Sequence, residues 1–194
     1  MAAPVLATKL FAPPLRPNLV LRQRLIDQLN AGSQHKLTLV SAPAGYGKTM
    51  LISSWLHETR ISSTWLSLDK DDNDPIRFVQ YFIAALQKTI PTFGVDLPGM
   101  AQGGQPASFD TSINFLINEI TGHTDPFILA LDDFHVIHSQ AVLDIVTVLL
   151  ERTPSQMHLV LLSRTDPPLP LARLRARDQL LDIRAEQLRF TLNE

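Results

Sequence analysis

Short apolar runs alternate along the chain with longer segments of helical period. Five runs suit β-strands, namely LTLVS from Leu37, STWLSL from Ser63, PFILALD from Pro126, HLVLLS from His158 and LLDIRA from Leu180. Several of them are apolar at nearly every position rather than at every second one, which is typical of strands covered on both faces. Alternating strands and helices indicate a parallel sheet. The pattern therefore predicts an α/β fold, a three-layer α/β/α sandwich around a five-stranded parallel sheet.

The segments between these runs carry helix signals. In DPIRFVQYFIAALQKT, Asp74 can cap the exposed amides and Pro75 suits the first helical position. An apolar stripe at helical spacing follows, which we interpret as core; it consists of Phe78, Val79, Phe82, Ile83 and Leu86. Two more helices are predicted in SFDTSINFLINEIT and SQAVLDIVTVLLERT. The Gly- and Pro-rich residues 90–106 are predicted to form a surface loop.

Composition narrows the class of protein. The 194 residues are 45% hydrophobic and 19% charged, so residues 1–194 are predicted to form one globular domain with a sizeable core. The 17 Lys and Arg residues against 19 Asp and Glu residues give a net charge of -2, which disfavours direct binding to nucleic acid by this chain. The lack of cysteine fits a reducing, cytoplasmic location. Charges and prolines interrupt the apolar N-terminal residues, so neither a signal peptide nor a membrane span is predicted.

The stretch SAPAGYGKTM, residues 41–50, lies between a predicted strand and a helix. Its glycines allow the backbone amides from Gly45 to Thr49 to converge on a phosphate at a helix N-terminus, where the helix dipole also favours an anion. Lys48 can reach the β- and γ-phosphate oxygens, and the Thr49 hydroxyl can join the coordination of Mg²⁺. This is the Walker A pattern, with Ala42 in place of its first glycine. The predicted nucleotide-binding residues of the loop are Ala44, Gly45, Tyr46, Gly47, Lys48, Thr49 and Met50.

Polar residues also follow two other predicted strands. FILALDD ends in Asp132, a predicted Mg²⁺ ligand, and Asp133, which is predicted to orient or deprotonate an attacking water. HLVLLSR ends in Arg164, which is predicted to contact the γ-phosphate because ligands lie at the carboxyl ends of parallel strands. The alternative for Arg164 is an exposed arginine paired with a loop carboxylate. The predicted catalytic residues are thus Lys48, Asp133 and Arg164, and the predicted cofactors are ATP or ADP with Mg²⁺.

Five segments, in order, resemble one family of proteins. They are TKLFAPPLRPNLVLRQRLIDQL, SAPAGYGKTMLISSWL, WLSLDKDDNDPIRFVQYFIAAL, FILALDDFHVI and LLSRTDPPLPLARLRARDQLLDIRAEQLRFT, which together span nearly the whole chain. The chain resembles the nucleotide-binding domain of MalT-like, LuxR-type transcriptional regulators, which are STAND ATPases. The resemblance implies a P-loop NTPase fold of the ASCE type, with the strand ending at Ser163 between the P-loop strand and the strand ending at Asp132. It also implies that Val20 and Arg22 border the adenine, in a segment that the residues alone predict as a helix start.

The resemblance further implies a nucleotide switch. In such regulators ATP and an inducer favour an active, self-associating state, and ADP favours a resting monomer. Hydrolysis is expected to be slow, because no second arginine is evidently placed to stabilise the γ-phosphate. The family's winged-helix, sensor and DNA-binding helix-turn-helix domains are absent from this chain. We divide the chain into an adenine-side segment (residues 1–35), a core sheet (residues 36–185) and the start of a following region (residues 186–194), whose last residues, T-L-N-E, suggest a helix start and thus a longer parent protein.

Two other functions compete with the switch. A P-loop small-molecule kinase would need an arginine-rich lid, for which PLARLRARDQ is the candidate segment. Its arginines Arg173, Arg175 and Arg177 recur at every second residue, so they do not share one helical face. The same run is the candidate for direct nucleic-acid binding, but acidic residues are interleaved with its arginines and no aromatic stacking platform accompanies them. A solvated helix face is the interpretation that we favour.

Residues near the acidic pair allow further interpretations. His135 and His138 suggest a zinc site, but no suitable third ligand is evident, so surface or supporting roles are favoured. Trp65 and Asp69 are interpreted as packing and loop-shaping residues. The resemblance leaves a role near the nucleotide open for Asp69.

Overall fold

The computed structural model describes residues 5–97, 109–152, 154–191 and 194. Every apolar run forms a strand, with bounds within one residue of the prediction: β1 Leu37–Ser41, β2 Ser62–Ser67, β3 Phe127–Asp132, β4 Met157–Ser163 and β5 Leu180–Arg184. The helices are α1 Gln23–Gly32, α2 Lys48–Glu58, α3 Pro75–Leu86, α4 Phe109–Gly122, α5 Gln140–Arg152 and α6 Leu171–Ala176. Residues 98–106 of the predicted surface loop, and the central two residues of T-L-N-E, lie outside the described residues.

The sheet is parallel throughout, with the strand order β2-β3-β4-β1-β5. Strand β4 lies between β1 and β3, as the resemblance implied. Ser41 at the end of β1 pairs in register with Ser163 at the end of β4, and Ser67 at the end of β2 pairs with Asp132 at the end of β3. The carboxyl ends of these four strands therefore meet at one edge, where the loops that carry the predicted phosphate-side residues begin.

Helices cover both faces of the sheet. Strand residues such as Leu39 and Leu161 join one apolar cluster with α3, α4 and α5, whereas their neighbours Val40 and Leu162 join a second cluster with α1 and α2. Because successive strand residues point to opposite faces, an uninterrupted apolar run serves both layers. The predicted three-layer sandwich is confirmed. Within the described ranges, none of the helices combines the length and the apolar character that a membrane crossing requires.

The predicted start of α3 is also confirmed. The Asp74 carboxylate accepts hydrogen bonds from the amides of Ile76 and Arg77, at 2.8 and 3.0 Å, and Pro75 is the first helical residue. Burial of a large apolar side chain stabilises the fold by about 1.5–3 kcal/mol relative to leaving it exposed. The predicted apolar stripe of α3 stabilises the fold in this way. Its residues Phe78, Phe82, Ile83 and Leu86 are buried and Val79 is partly buried.

A buried cluster of charges fastens the segment before α1 to the rest of the domain. The Lys9 ammonium donates to the fully buried carboxylate of Asp72, and to Asp69 at 3.0 Å. Arg77 Nε donates to the other oxygen of Asp72 at 3.1 Å. Asp69 also caps the short 3-10 turn Lys70–Asn73 through the amide of Asp71. These contacts support the loop-shaping role predicted for Asp69.

Candidate nucleotide-binding site

The loop between β1 and α2 has the backbone geometry of an anion cradle. Strand β1 ends at Ser41 and α2 begins at Lys48. Gly45 and Gly47 have φ angles of 86° and 76°, in the left-handed region that costs other residues about 1–2 kcal/mol. Gly47 is the N-cap of α2, and no described side chain caps the helix. The first amides of α2 therefore remain available to an anion at the positive end of the helix dipole.

The Lys48 ammonium lies against the same loop. Its Nζ donates to the carbonyl oxygens of Ala42 and Pro43 at 2.6 and 3.0 Å. Ala42, which replaces the first glycine of the motif, thus contributes a backbone acceptor. Burial lowers the pKa of Lys48; the Asp132 carboxylate opposes this shift and the Arg164 guanidinium adds to it. A partly buried cation in this position is suited to an anionic ligand, which would restore its preference for the charged form.

Thr49 and Asp132 meet beside the loop although they lie on different elements. The Thr49 hydroxyl donates to Asp132 Oδ2 at 3.1 Å, and the Asp133 amide donates to Asp132 Oδ1 at 2.9 Å. Asp132 is 6% exposed. Burial, together with the charge of Asp133, raises the pKa of Asp132 to about 6. A hydroxyl beside a buried carboxylate offers the hard oxygen ligands that Mg²⁺ prefers, so these two residues fit a Mg²⁺ site.

The other two predicted catalytic residues lie at the same edge of the sheet. Asp133 directly follows β3, with a φ angle of 55°, and its carboxylate lies 3.7 Å from His135 Nδ1. Burial lowers the pKa of His135, and the charge of Arg164 lowers it further. The exposed Arg164 is therefore within electrostatic reach of both His135 and Lys48. The geometry groups these side chains around the loop, and their catalytic roles stay predictions.

Asn73 holds the loop that carries Asp133. Its Oδ1 accepts from the backbone amides of His138 and Ser139 at 2.6 and 2.8 Å, and its Nδ2 donates to the Val136 carbonyl at 2.9 Å. His138, considered above as a zinc ligand, thus takes part through its backbone. Sequence reasoning missed Asn73 because its partners lie 63 to 66 residues further along the chain, and no local pattern points to them.

A cavity of about 560 Å³ opens on the α1 side of the loop. Six of the predicted nucleotide-binding residues line this cavity, namely Val20, Arg22, Gly45, Tyr46, Gly47 and Met50. The other predicted residues of the loop, Ala44, Lys48 and Thr49, do not line it. The cavity is thus continuous with the glycine loop, whereas Thr49 and Asp132 do not line it.

Residues that follow β5 complete the cavity, and sequence reasoning missed them. Leu188 and Phe190 both line it, the first buried and the second 65% exposed. Arg22 connects them to α1, because its Nη2 donates to the Leu188 carbonyl and its Cζ lies 4.6 Å from the centre of the Phe190 ring. A single aromatic residue after a strand carries no signal of a partner so distant in sequence.

Two arginines of the run PLARLRARDQ are paired with carboxylates. Arg173 forms an ion pair with Glu151, and Arg175 lies 2.7 Å from Asp182. Asp182 also lies 2.8 Å from Arg184 on the same strand, β5. Two of the three arginines that a kinase lid or a nucleic-acid surface would use are thus engaged within the domain, which agrees with the preference for a solvated helix face.

Comparison with known proteins reveals relatives over nearly the whole chain. The chain is 39% identical, over 190 residues, to the HTH-type transcriptional regulator MalT of Serratia proteamaculans (strain 568). The chain resembles one region of the MalT regulators. The match covers 98% of this chain and 21% of that relative, so the chain spans about a fifth of the length of the curated relatives that it matches. The resemblance predicted from the five segments is confirmed, although no family model matches the chain.

Solved structures share the fold. A Signal Transduction ATPase with Numerous Domains (STAND) protein with a tetratricopeptide repeat sensor, from Pyrococcus horikoshii, matches with a TM-score of 0.57 and 19% identity, over 90% of this chain and 24% of that chain. Cdc6p from Pyrobaculum aerophilum matches with a TM-score of 0.53 and 17% identity, over 90% of this chain and 46% of that chain. Such identities show the fold alone. It is the fold of P-loop ATPases.

Proposed function

We propose that this chain is a Mg²⁺-dependent ATP- and ADP-binding domain that hydrolyses ATP slowly and acts as a nucleotide switch in a transcriptional regulator. The observation that carries the proposal is the 3.1 Å contact between Thr49 and Asp132 beside a glycine loop at the start of α2. A glycine turn before a helix occurs in proteins of many functions, so it does not by itself identify a nucleotide site. A hydroxyl and a buried carboxylate from a second strand end, meeting beside that turn, form the arrangement that a metal-bound polyphosphate needs.

In this proposal the phosphates are bound by backbone and by one lysine. The amides from Gly45 to Thr49 donate to the phosphate oxygens at the positive end of the α2 dipole. Lys48 exchanges its two carbonyl acceptors for the β- and γ-phosphates. Thr49 and Asp132 would hold Mg²⁺, which would supply positive charge to neutralise the phosphate oxygens. Val20 and Arg22 border the adenine.

Hydrolysis is assigned to Asp133 and Arg164. Asp133 follows the metal ligand Asp132, and 54% of its side chain is exposed, so it can orient or deprotonate a water molecule. Arg164, at the end of the neighbouring strand, stabilises charge on the γ-phosphate. A further arginine at the γ-phosphate accelerates such reactions by about 10³ to 10⁵. The proposed reaction proceeds without one, and turnover is therefore slow.

The relatives suggest what the switch controls. We propose that the bound nucleotide sets a conformation that is passed to winged-helix, sensor and helix-turn-helix domains of a larger cytoplasmic regulator. ATP would favour self-association of that regulator, and ADP its monomer. The helix-turn-helix domain, rather than this chain, would contact DNA, in agreement with the net charge of -2.

Calorimetric titration with ATP and ADP in the presence of Mg²⁺, followed by a phosphate-release assay, tests the proposal. Both nucleotides should bind, and phosphate release should be slow. Asp133→Asn should keep its affinity for ATP and release phosphate about 100-fold more slowly, at the lower end of the range for loss of a general base. Asp27→Asn, which changes an exposed carboxylate on α1, should alter neither quantity. Failure of the unaltered chain to bind either nucleotide would contradict the proposal.

A further inference from the structure

Arg22 connects three segments that are far apart in sequence. It is the residue before α1, and it is 7% exposed. Its Nη2 donates to the carbonyl of Leu188, after β5. Its Nη1 lies 3.8 Å from the position that a Cβ on Gly47 would occupy, which places the guanidinium against the glycine loop. One side chain therefore touches the loop, the start of α1 and the segment that follows the last strand.

Phe190 gives this arrangement an exposed aromatic wall. Its ring is 65% exposed, lines the cavity beside the glycine loop, and lies over the Arg22 guanidinium at 4.6 Å. The chain before it is fixed, because Leu188 is 2% exposed and its amide donates to the Arg184 carbonyl at 3.1 Å. An aromatic ring held at the mouth of a cavity, with one face on a planar cation, presents apolar surface to whatever enters.

The lining of the cavity is mainly apolar. Besides Phe190 it includes Val20, Ile26 and Leu51, and it lies beside a loop suited to phosphate. A heteroaromatic base attached to a polyphosphate offers the matching surface, a flat apolar face.

We propose that Phe190 stacks on the base of the bound nucleotide and, together with Arg22, couples occupancy of the cavity to the position of residues 188–190. The proposal rests on the proposed function and adds a residue of the segment after β5 to the site. Inorganic tripolyphosphate, which has no base, would engage the loop and leave this segment unaffected. ATP would engage both, so only a nucleotide with a base would reach the segment that follows β5.

The chain offers a matched pair of substitutions. Phe190→Ala removes the proposed stacking ring. Phe11→Ala removes a second exposed phenylalanine, 57% exposed, whose ring also meets a cation, with Lys88 Nζ at 4.3 Å, but which does not line this cavity. Phe190→Trp keeps a stacking surface. Both phenylalanines are mostly exposed, so the folded core stays intact in each variant.

Calorimetric affinities for ATP and for inorganic tripolyphosphate, each with Mg²⁺, provide the test. Phe190→Ala should weaken ATP binding by about 5-fold to about 150-fold, the range that alanine substitution gives for base stacking on aromatic rings. Its affinity for tripolyphosphate should not change. Phe11→Ala should change neither affinity, and Phe190→Trp should retain ATP binding. An unchanged ATP affinity in Phe190→Ala, or an equal loss for both ligands, overturns the inference.

Hydrogen exchange tests the coupling to the following segment. The amides of Leu188 and Arg189 donate to the carbonyls of Arg184 and Glu186 at 3.1 and 3.3 Å, so they report on that segment. ATP should slow their exchange and tripolyphosphate should not; equal protection by both ligands contradicts the coupling. The two proposals fail in different ways: if tripolyphosphate binds and Phe190→Ala behaves as the unaltered chain, only the inference is wrong, whereas an unaltered chain that binds neither ligand refutes the proposed function.

Discussion

The phosphate end and the base end of the candidate site are built in different ways. At the phosphate end, the proposed donors are successive amides of residues 45–49, in a loop set by one strand end and one helix start. At the base end, the walls come from the segment before α1, from the glycine loop and from residues 188–190. Arg22 there donates to a carbonyl 166 residues away. Local backbone geometry forms the loop of the first end, to which a tertiary contact adds Asp132, whereas tertiary contacts form the second end throughout.

The two ends also differ in the forces available to them. The phosphate end carries the Lys48 ammonium and the buried Asp132 carboxylate, so its affinity should depend on charge and pH. The base end carries mainly apolar surface and one aromatic ring, so its contribution should be nearly independent of pH. The affinity for a ligand that lacks a base therefore reports on the phosphate end alone. Substitutions at the base end should not change that affinity.

Lys48→Ala should have the largest effect. Loss of two charge-assisted contacts, each worth about 1.5–3 kcal/mol, should weaken binding of both ATP and tripolyphosphate more than about 100-fold. Lys36→Ala is the matched control, because the Lys36 ammonium also donates to two backbone carbonyls, Leu150 and Glu151 at 3.3 and 3.4 Å, but it precedes β1 at the opposite edge of the sheet. Titration calorimetry on both variants measures the difference. A loss of affinity for ATP without a loss of affinity for tripolyphosphate would show that Lys48 does not bind the phosphates.

The pH dependence should follow Asp132. Its pKa of about 6 in the folded chain means that the carboxylate takes up a proton as the pH falls through 6, and Mg²⁺ must then displace that proton. Affinity for ATP with Mg²⁺ should therefore fall about tenfold per pH unit below 6, and Asp132→Asn should abolish this dependence. Affinity measured from pH 7 to pH 5 checks the prediction. A slope that persists in Asp132→Asn assigns the titration to another group.

Without ligand, the effect of Asp132 has the opposite sign: the stability of the folded chain should increase as the pH falls through 6, whereas the affinity for ATP decreases. Because the folded pKa of about 6 lies above the ordinary value of 3.8, the folded state binds more protons than the unfolded state between these pH values. The contribution of Asp132 to the free energy of unfolding is therefore full below about pH 4 and is lost as the pH rises through 6. This carboxylate lowers stability at neutral pH, as a group retained to bind a cation would.

The smallest effect is expected at the base end. Arg22→Gln removes the contacts with Leu188 and Phe190 and should weaken ATP binding by about 5-fold, the size of one modest polar or stacking contact. Its affinity for tripolyphosphate should not change. Arg24→Gln removes a similar contact to the next carbonyl, that of Gln187, without changing the cavity, and should leave both affinities unchanged. An equal loss of ATP affinity in Arg22→Gln and Arg24→Gln would show that binding depends on how residues 187–190 are held, and not on Arg22 itself.

Sequence reasoning recovered the fold, and it anticipated that Thr49 and Asp132 lie together, because both leave signals in the sequence. Short runs rich in apolar residues identified the five strands of the described residues, Asp74 identified the start of α3, and the glycine spacing placed Lys48 and Thr49 at the start of α2. The pairing of Thr49 with Asp132 followed from the rule that parallel strands present their carboxyl ends together. Asn73 and Phe190 left no such signal, because each acts through a partner on a distant segment. Resemblance alone suggested Val20 and Arg22.

The central claim, that the glycine loop binds nucleotide, is tested most directly by the midpoint of thermal unfolding with ATP and Mg²⁺, with ADP and Mg²⁺, and without nucleotide. At a concentration 100 times its Kd, a ligand should stabilise the folded chain by about 2.7 kcal/mol. We predict that both nucleotides raise the midpoint of the unaltered chain, that their shifts differ at one common concentration, and that neither raises the midpoint of Lys48→Ala. A midpoint that neither nucleotide moves, or that moves equally in Lys48→Ala, would contradict the claim.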